Sequence, residues 1–334
     1  MKTSKWINTV DTHTDGQSTR IITSGIGPIP GKSMIEKLHF FRNNMDPIRT
    51  SLMHEPRGHR GMFGCLLTEP TTPEADYGVI FMDSGGYMNM CGMATIGVAT
   101  ALAEMGMVKT QEPSTSVILE SPSGLVETNV AWKNGKAEDV SFRNVPAFVD
   151  YLDIDLDVPD LGTLKVDVAY GGNYFVFFSA EETHLEVTPR NMAKILDAGI
   201  RVREAANQKL PVRHPELKHI DSIYVSTILA PSKNPKAAYK NVHMFGGQFG
   251  RSSGGTGTSA RMAALYAKGL LKLNQEIWVE SITGGLFGGR LIGETTVGNR
   301  KAVLPEIKGC AYITGFHQFL IDPDDHLKDG FLIQ

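Results

Sequence analysis

"NMCGMATIGVATALAEMG", residues 89–106, sets one cysteine ahead of a helical run whose only charge between Thr95 and Met105 is Glu104. A helix apolar on every side is normally enclosed by protein, for instance inside a curved sheet. A second stretch, "GGTGTSARMAALYAKG" from Gly254, repeats the pattern. With Cys91 set against Gly254, glycines coincide at Gly92/Gly255 and Gly106/Gly269, Thr95 meets Thr258, and Leu102 meets Leu265. Each copy ends in a glycine where a helix C-terminus wants one. Each then runs into a strand and turn, "ILESPSG" and "WVESITGG". An internal repeat of this kind predicts two similar lobes facing each other. The expected division is 1–145, carrying Cys91, and 146–334, carrying the Gly254 loop. Asn144 to Phe148 is the hinge, and the last strands pack back on the first lobe.

The rest of the chain reads mainly as strand. β-branched or alternating runs lie at 18–26, 77–83, 115–124, 124–135, 163–172, 174–180 and 276–282, punctuated by glycine or proline. Helical pattern is confined to 31–45, 92–105, 189–207 and 257–268. The expected class is therefore α+β with few helices, two pseudo-symmetric lobes each built as a curved sheet around a central helix.

Composition removes several function classes. The 334 residues carry a formal charge of −3 and no long Lys/Arg run, which gives no electrostatic case for nucleic acid or an anionic membrane. No apolar stretch reaches the roughly 18 residues of a membrane span. "MKTSKWINTVDTHTDG" lacks an apolar core of signal-peptide length. Cys65, Cys91 and Cys310 form no C-x-x-C pair, against a disulfide framework or thiolate zinc site and in favour of a reducing, cytoplasmic setting. No metal site is expected, because no His or carboxylate pair has helical ligand spacing.

Both repeated helices begin in small-residue loops. Unpaired backbone N–H groups and the positive dipole end at each start would grip an anion, especially a carboxylate. At that mouth Cys91 is the candidate nucleophile or base, since the dipole can depress a thiol pKa. Cys65 and Cys310 sit in strand context and read as small buried hydrophobes. "GGTGTSA" also satisfies G-x-G-x-x-A, but no βαβ unit with a closing acidic residue surrounds it, so an anion nest is the better reading. "DTHTDGQSTR" (11–20) and "EPRGHRGMFG" (55–64) place His13, Arg20, Glu55, Arg57 and His59 in glycine-rich loops that could wall a cleft.

These residues resemble the proline racemase family along almost the whole chain. The matching stretches are "DTHTDGQSTRI", "EPRGHRGMFG", "MDSGGYMNMCG", "RNVPAF", "YGGNYF", "GTGTSARMA" and "AYITGFHQF". The resemblance implies lobes of the diaminopimelate-epimerase type, no cofactor, a proline-like amino acid as substrate and a homodimer. It also implies a thiol from each lobe on opposite faces of the substrate Cα, one removing the proton and the other delivering one. The family includes proline racemase, 4-hydroxyproline epimerase and trans-3-hydroxy-L-proline dehydratase.

This chain departs from the family at the chemistry itself. The first motif, M-C-G-H-G in the family, is "MCGMA", with Met93 for the histidine. The second, D-R-S-P-C-G-T-G, is "GRSSGGTG": Gly250 replaces the aspartate, Ser253 the proline and Gly254 the second cysteine. The preceding loop is one residue shorter, and Gln17 stands for a glutamate. The expected site is thus Cys91 as catalytic base, Gly254 as the lost second base, and Gly92, Met93, Gly250, Gly255 and Thr256 around the substrate. Three readings follow. In the first, one-base dehydration, Cys91 takes the Cα proton and a β-hydroxyl leaves, with water, Ser253 or Thr256 free to donate a proton beside Gly254. The second is racemisation or epimerisation with water or a hydroxyl as the second acid. The third is non-catalytic binding of a small carboxylate.

Overall fold

The structure is a computed structural model describing residues 4–333. It divides into two units: one runs to Phe142 and takes in the chain from Cys310 onward, and the other is Arg143–Gly309. The first unit contains β1 (Lys5–Thr14), β2 (Gln17–Ser24), α1 (Met34–Met53), β3 (Phe63–Thr68), β4 (Tyr77–Asp83) and the short β5 (Tyr87–Met88). After these come α2 (Gly92–Glu104), β6 (Ser114–Ser121) and β7 (Gly124–Lys133), then β8 (Lys136–Arg143) at the boundary. The second holds β9 (Ala147–Val158), β10 (Gly162–Tyr170), β11 (Tyr174–Ser179), α3 (Met192–Lys209), β12 (Ile223–Ala230), β13 (Tyr239–Phe245) and β14 (Gln248–Phe249). It continues through α4 (Gly255–Ala267), β15 (Ile277–Glu280), β16 (Leu286–Val297) and β17 (Arg300–Gly309). The last strand, β18 (Ala311–Ile321), pairs antiparallel with β1, so the chain from Cys310 onward belongs to the first unit and the second ends at Gly309.

Sheet topology repeats element for element. In the first unit β2 runs parallel to β3, β3 antiparallel to β4, β4 antiparallel to β5 and parallel to β6, and β6 antiparallel to β7. In the second, the same relations link β11 to β12, β12 to β13, β13 to β14 and β15, and β15 to β16. The long helices α1 and α3 each connect the parallel pair, as a parallel crossover requires.

α2 shows why its sequence carries almost no charge. Every residue from Gly92 to Ala103 is buried, and the helix packs against β1, β2, β3, β6, β7 and β18 of its own unit. Gly97 makes the closest approach: a Cβ there would lie 2.6 Å from Thr12 Oγ1 on β1. α4 packs likewise against β9, β10, β11, β16 and β17, and turns Arg261 outward to the Asp167 carboxylate, 2.6 Å away. Both helices end identically. Gly106 and Gly269 take φ of +66° and +72°, and the N–H groups of Met107 and Leu270 reach back to the carbonyls of Leu102 and Leu265. That is the Schellman ending, which satisfies carbonyls a helix would leave open. Among the described residues no helix is long and apolar enough to cross a membrane.

Candidate active site

Cys91 is the N-cap of α2, and Gly254 is the N-cap of α4. The repeat read from sequence thus holds at atomic level, since each helix is 13 residues long and begins one residue after the matched position. Around Cys91 the start of α2 is fastened from β1 and β2. Thr14 donates to the Met93 carbonyl at 2.9 Å, the Thr19 hydroxyl lies 3.4 Å from the Met93 sulfur, and Thr95 donates to the Cys91 carbonyl at 3.0 Å. Met93 is therefore packed into its own unit, with its backbone N–H at the helix mouth. Burial pushes the Cys91 thiol up to about 12, although the Ala94 and Met93 backbone N–H groups pull the other way. The expectation of a dipole-depressed thiol is corrected here, because desolvation outweighs the helix start. Burial also raises Cys65.

The two polar loops of the first unit do come together, but mostly as structure. Gln17 donates to the Gly61 carbonyl at 2.9 Å, and His59 lies 3.4 Å from the Ser18 hydroxyl. Arg20 is consumed by a buried ion pair with Asp11 at 2.8 Å and by the carbonyls of Leu52 and Arg57. Arg57 reaches the Lys328 carbonyl and Asp325, Glu55 bridges Phe331 through its backbone, and His13 packs on the Tyr312 ring.

Gly254 heads a different arrangement. The N–H groups of Gly255, Thr256 and Gly257 precede the first intrahelical bond, from Thr258 N–H to the Gly254 carbonyl at 3.1 Å. Their intrahelical partners would lie before the helix begins. Gly250 donates its N–H to the His243 carbonyl at 2.8 Å, and a Cβ there would meet nothing closer than 3.7 Å. The space into which a side chain at 254 would grow is already filled. A Cβ on Gly254 would lie 2.4 Å from Nε2 of His243, and one on Gly257 would lie 2.2 Å from its Cε1. Ser253 is also corrected as a proton donor: its hydroxyl is fully buried and donates to the Val279 carbonyl at 2.9 Å.

His243, on β13, is the residue that motif reading missed. Its Nε2 is 2.7 Å from the Ser253 carbonyl, and its Nδ1 is 2.7 Å from the Thr227 hydroxyl. A carbonyl only accepts, so Nε2 carries the proton and Nδ1 accepts from Thr227. Asn241 donates to the same Ser253 carbonyl at 2.9 Å. The ring is 5% exposed, and burial lowers its pKa to about 4, so the imidazole is neutral at pH 7. A sequence signal did exist, in the two glycines three residues apart at one helix start, which leave a hollow that some other side chain must fill. Among the described residues no group of three or more His, Cys, Asp or Glu could hold a metal ion.

Two copies of one sheet-and-helix unit, one helix headed by a thiol and the other by glycine, define an α+β enzyme of the epimerase type. The chain belongs to the proline racemase family, whose model, described as proline racemase, matches residues 9–332. It is 46% identical to the proline racemase of Clostridioides difficile over 335 residues, all of both chains. It is 39% identical to the trans-3-hydroxy-L-proline dehydratase of Burkholderia ambifaria, again over the whole of both. A crystal structure of a hydroxyproline epimerase from Agrobacterium vitis, with bound trans-4-hydroxy-L-proline, superposes with a TM-score of 0.93 at 31% identity. That match covers 98% of this chain and 95% of the other. It is accordingly an enzyme of this family.

Proposed function

We propose that this enzyme abstracts the Cα proton of proline or a hydroxyproline with Cys91 as its one base, and that dehydration of a β-hydroxylated proline is the reaction it favours. The observation that carries the reading is the unequal pair of helix caps, a thiol at Cys91 and no side chain at Gly254. In this reading backbone N–H groups at the start of α2, beside Cys91, hold the substrate carboxylate, with Gly92 and Met93 as the contact positions. A Cα–H is very weakly acidic, so those donors must stabilise the enediolate as it develops. The thiolate, once formed, is a strong base, because burial disfavours its charge. It takes the Cα proton, the electron pair forms the Cα–Cβ double bond, and the Cβ–O bond breaks. The hydroxyl then leaves as water with the proton returned from the Cys91 thiol. One group serves both steps, which removes the need for a second thiol. In this reading it acts on a small molecule, with no nucleic-acid or membrane partner, in the cytoplasm and as a homodimer.

The second reading, racemisation or 2-epimerisation, is favoured by the likeness to the Clostridioides difficile proline racemase and the Agrobacterium vitis epimerase. One experiment separates the two. The enzyme is incubated in D2O with proline, 4-hydroxyproline and trans-3-hydroxyproline while Cα–H exchange, optical rotation and keto-acid release are followed. Keto-acid release from the 3-hydroxy compound supports dehydration, and inversion supports epimerisation. Cys91→Ser should abolish whichever activity is seen. Turnover surviving that change would remove Cys91 as the base.

A further inference from the structure

We propose that His243 sets the stereochemical outcome of the reaction by occupying the place that the internal repeat assigns to a second thiol. The inference rests on the reading of Cys91 as the Cα base. Gly254 is not a vacancy left by a lost side chain. The imidazole already fills the volume into which a side chain at 254 would grow, with Nε2 and Cδ2 at 2.4 and 2.5 Å from the position of a Cβ. Gly257 is coupled to the same ring. The backbone agrees: Gly254 has a φ of +74°, which side chains rarely tolerate.

The first unit shows what this position looks like when its helix carries the thiol. Counting from the parallel pairings of Tyr77 with Leu119 and of Tyr239 with Val279, His243 falls at the place of Phe81. Their strand partners correspond too, Thr227 facing His243 where Cys65 faces Phe81. A hydrogen-bonded Thr–His pair thus stands in the unit without the thiol, and an apolar pair in the unit with it. Thr227, His243 and Gly254 thus form one packed feature.

The ring's chemistry in this setting is to block. Both nitrogens are engaged at 2.7 Å, so the imidazole offers no spare proton and no free lone pair to a carbon centre. Its bulk also keeps water from the position beside Gly254. A proton removed by Cys91 then returns by way of Cys91, giving elimination, or exchange with retention, rather than inversion.

The test uses the full-length enzyme and its variants His243→Ala and His243→Asn, the latter retaining an amide donor if the alanine variant does not fold. The ratio of inverted to exchanged substrate is measured in D2O. We expect a low ratio in the wild type and a rise on the order of tenfold or more in either variant, as solvent gains the proton-donating position. An unchanged ratio overturns the proposal. So does a wild-type inversion that the variants abolish, because the ring would then be an acid itself. A second measurement does not depend on turnover: Gly254→Ala should cost clearly less stability on the His243→Ala background than alone, and additivity would refute the steric coupling. Absence of Cα–H exchange, inversion and keto-acid release with all three substrates overturns the functional reading and the stereochemical role with it. Exchange with an unchanged ratio overturns only the role of His243.

Discussion

A buried thiol is a slow nucleophile, because the thiolate is the reactive species. Cys91 is 6% exposed and held near 12 by burial, so at neutral pH it carries its proton. Iodoacetamide labelling of Cys91, read by mass spectrometry, should therefore be slow at neutral pH and rise steadily as the pH is raised. A rate that levels off near neutrality would mean that the Met93 and Ala94 N–H groups win over desolvation. At this scale the sequence was informative about positions and poor about environments. Cys91 and Gly254 are recognisable from the repeat, because caps recur with the helices they start. That Arg20 belongs to Asp11, that the Ser253 hydroxyl points at Val279, and that His243 fills Gly254 are all long-range packing facts. Only the last leaves a local trace, the glycines at 254 and 257, and that trace does not say which side chain fills the hollow. A histidine in "NVHMFGG" looks like any strand residue until its neighbour across the fold is known.

At the scale of elements, periodicity located all four helices but not their full extent. The first was expected over 31–45 and continues to Met53 through Pro47. A proline inside a helix removes one backbone bond and normally ends the run. Here tertiary contacts carry the helix past it. Asp46 pairs with Arg49 at 2.7 Å and accepts from the Tyr87 hydroxyl, while Arg49 donates to the carbonyls of Asp83 and Ser84. Its start is locally encoded, with Ser33 accepting from the Glu36 N–H and Glu36 accepting from that of Lys32. In α2 the informative position is Gly97. By propensity alone, Gly97→Ala should stabilise an interior helical turn by about 1 kcal/mol. The 2.6 Å approach to Thr12 Oγ1, a buried group on β1, reverses the sign, since overpacking costs about 1–3 kcal/mol. We expect Gly97→Ala to lower the urea midpoint, and the loss to shrink when Thr12 is also changed to Ala. A midpoint raised by Gly97→Ala alone would show that β1 yields at no cost.

For the molecule as a whole, the repeat gives two units of one topology but not one chemistry, and acid should expose the difference. Two buried imidazoles, His214 and His243, belong to Arg143–Gly309. Burial lowers each from 6.5 to about 4. His214 accepts from the Glu216 and Leu217 N–H groups through Nδ1 and packs on Tyr170, 4.7 Å between ring centroids. With the folded pKa below the unfolded one, the unfolded chain binds the proton first as pH falls. The stability associated with each neutral ring is then complete above 6.5 and lost progressively down to 4. The loss per ring is on the order of 3 kcal/mol, enough to matter against a total of about 5–15 kcal/mol. Urea unfolding at about pH 7.5 and at about pH 4.5 should show a marked fall in the wild type. His214→Asn, which keeps an acceptor for the same two N–H groups without the titration, should be less stable than the wild type at the higher pH yet lose less on acidification. His243→Asn should behave likewise, and the two effects should add, because the rings share no hydrogen-bond partner. If both variants lose as much as the wild type between the two pH values, the acid sensitivity belongs to carboxylates elsewhere and the two imidazoles do not titrate on unfolding.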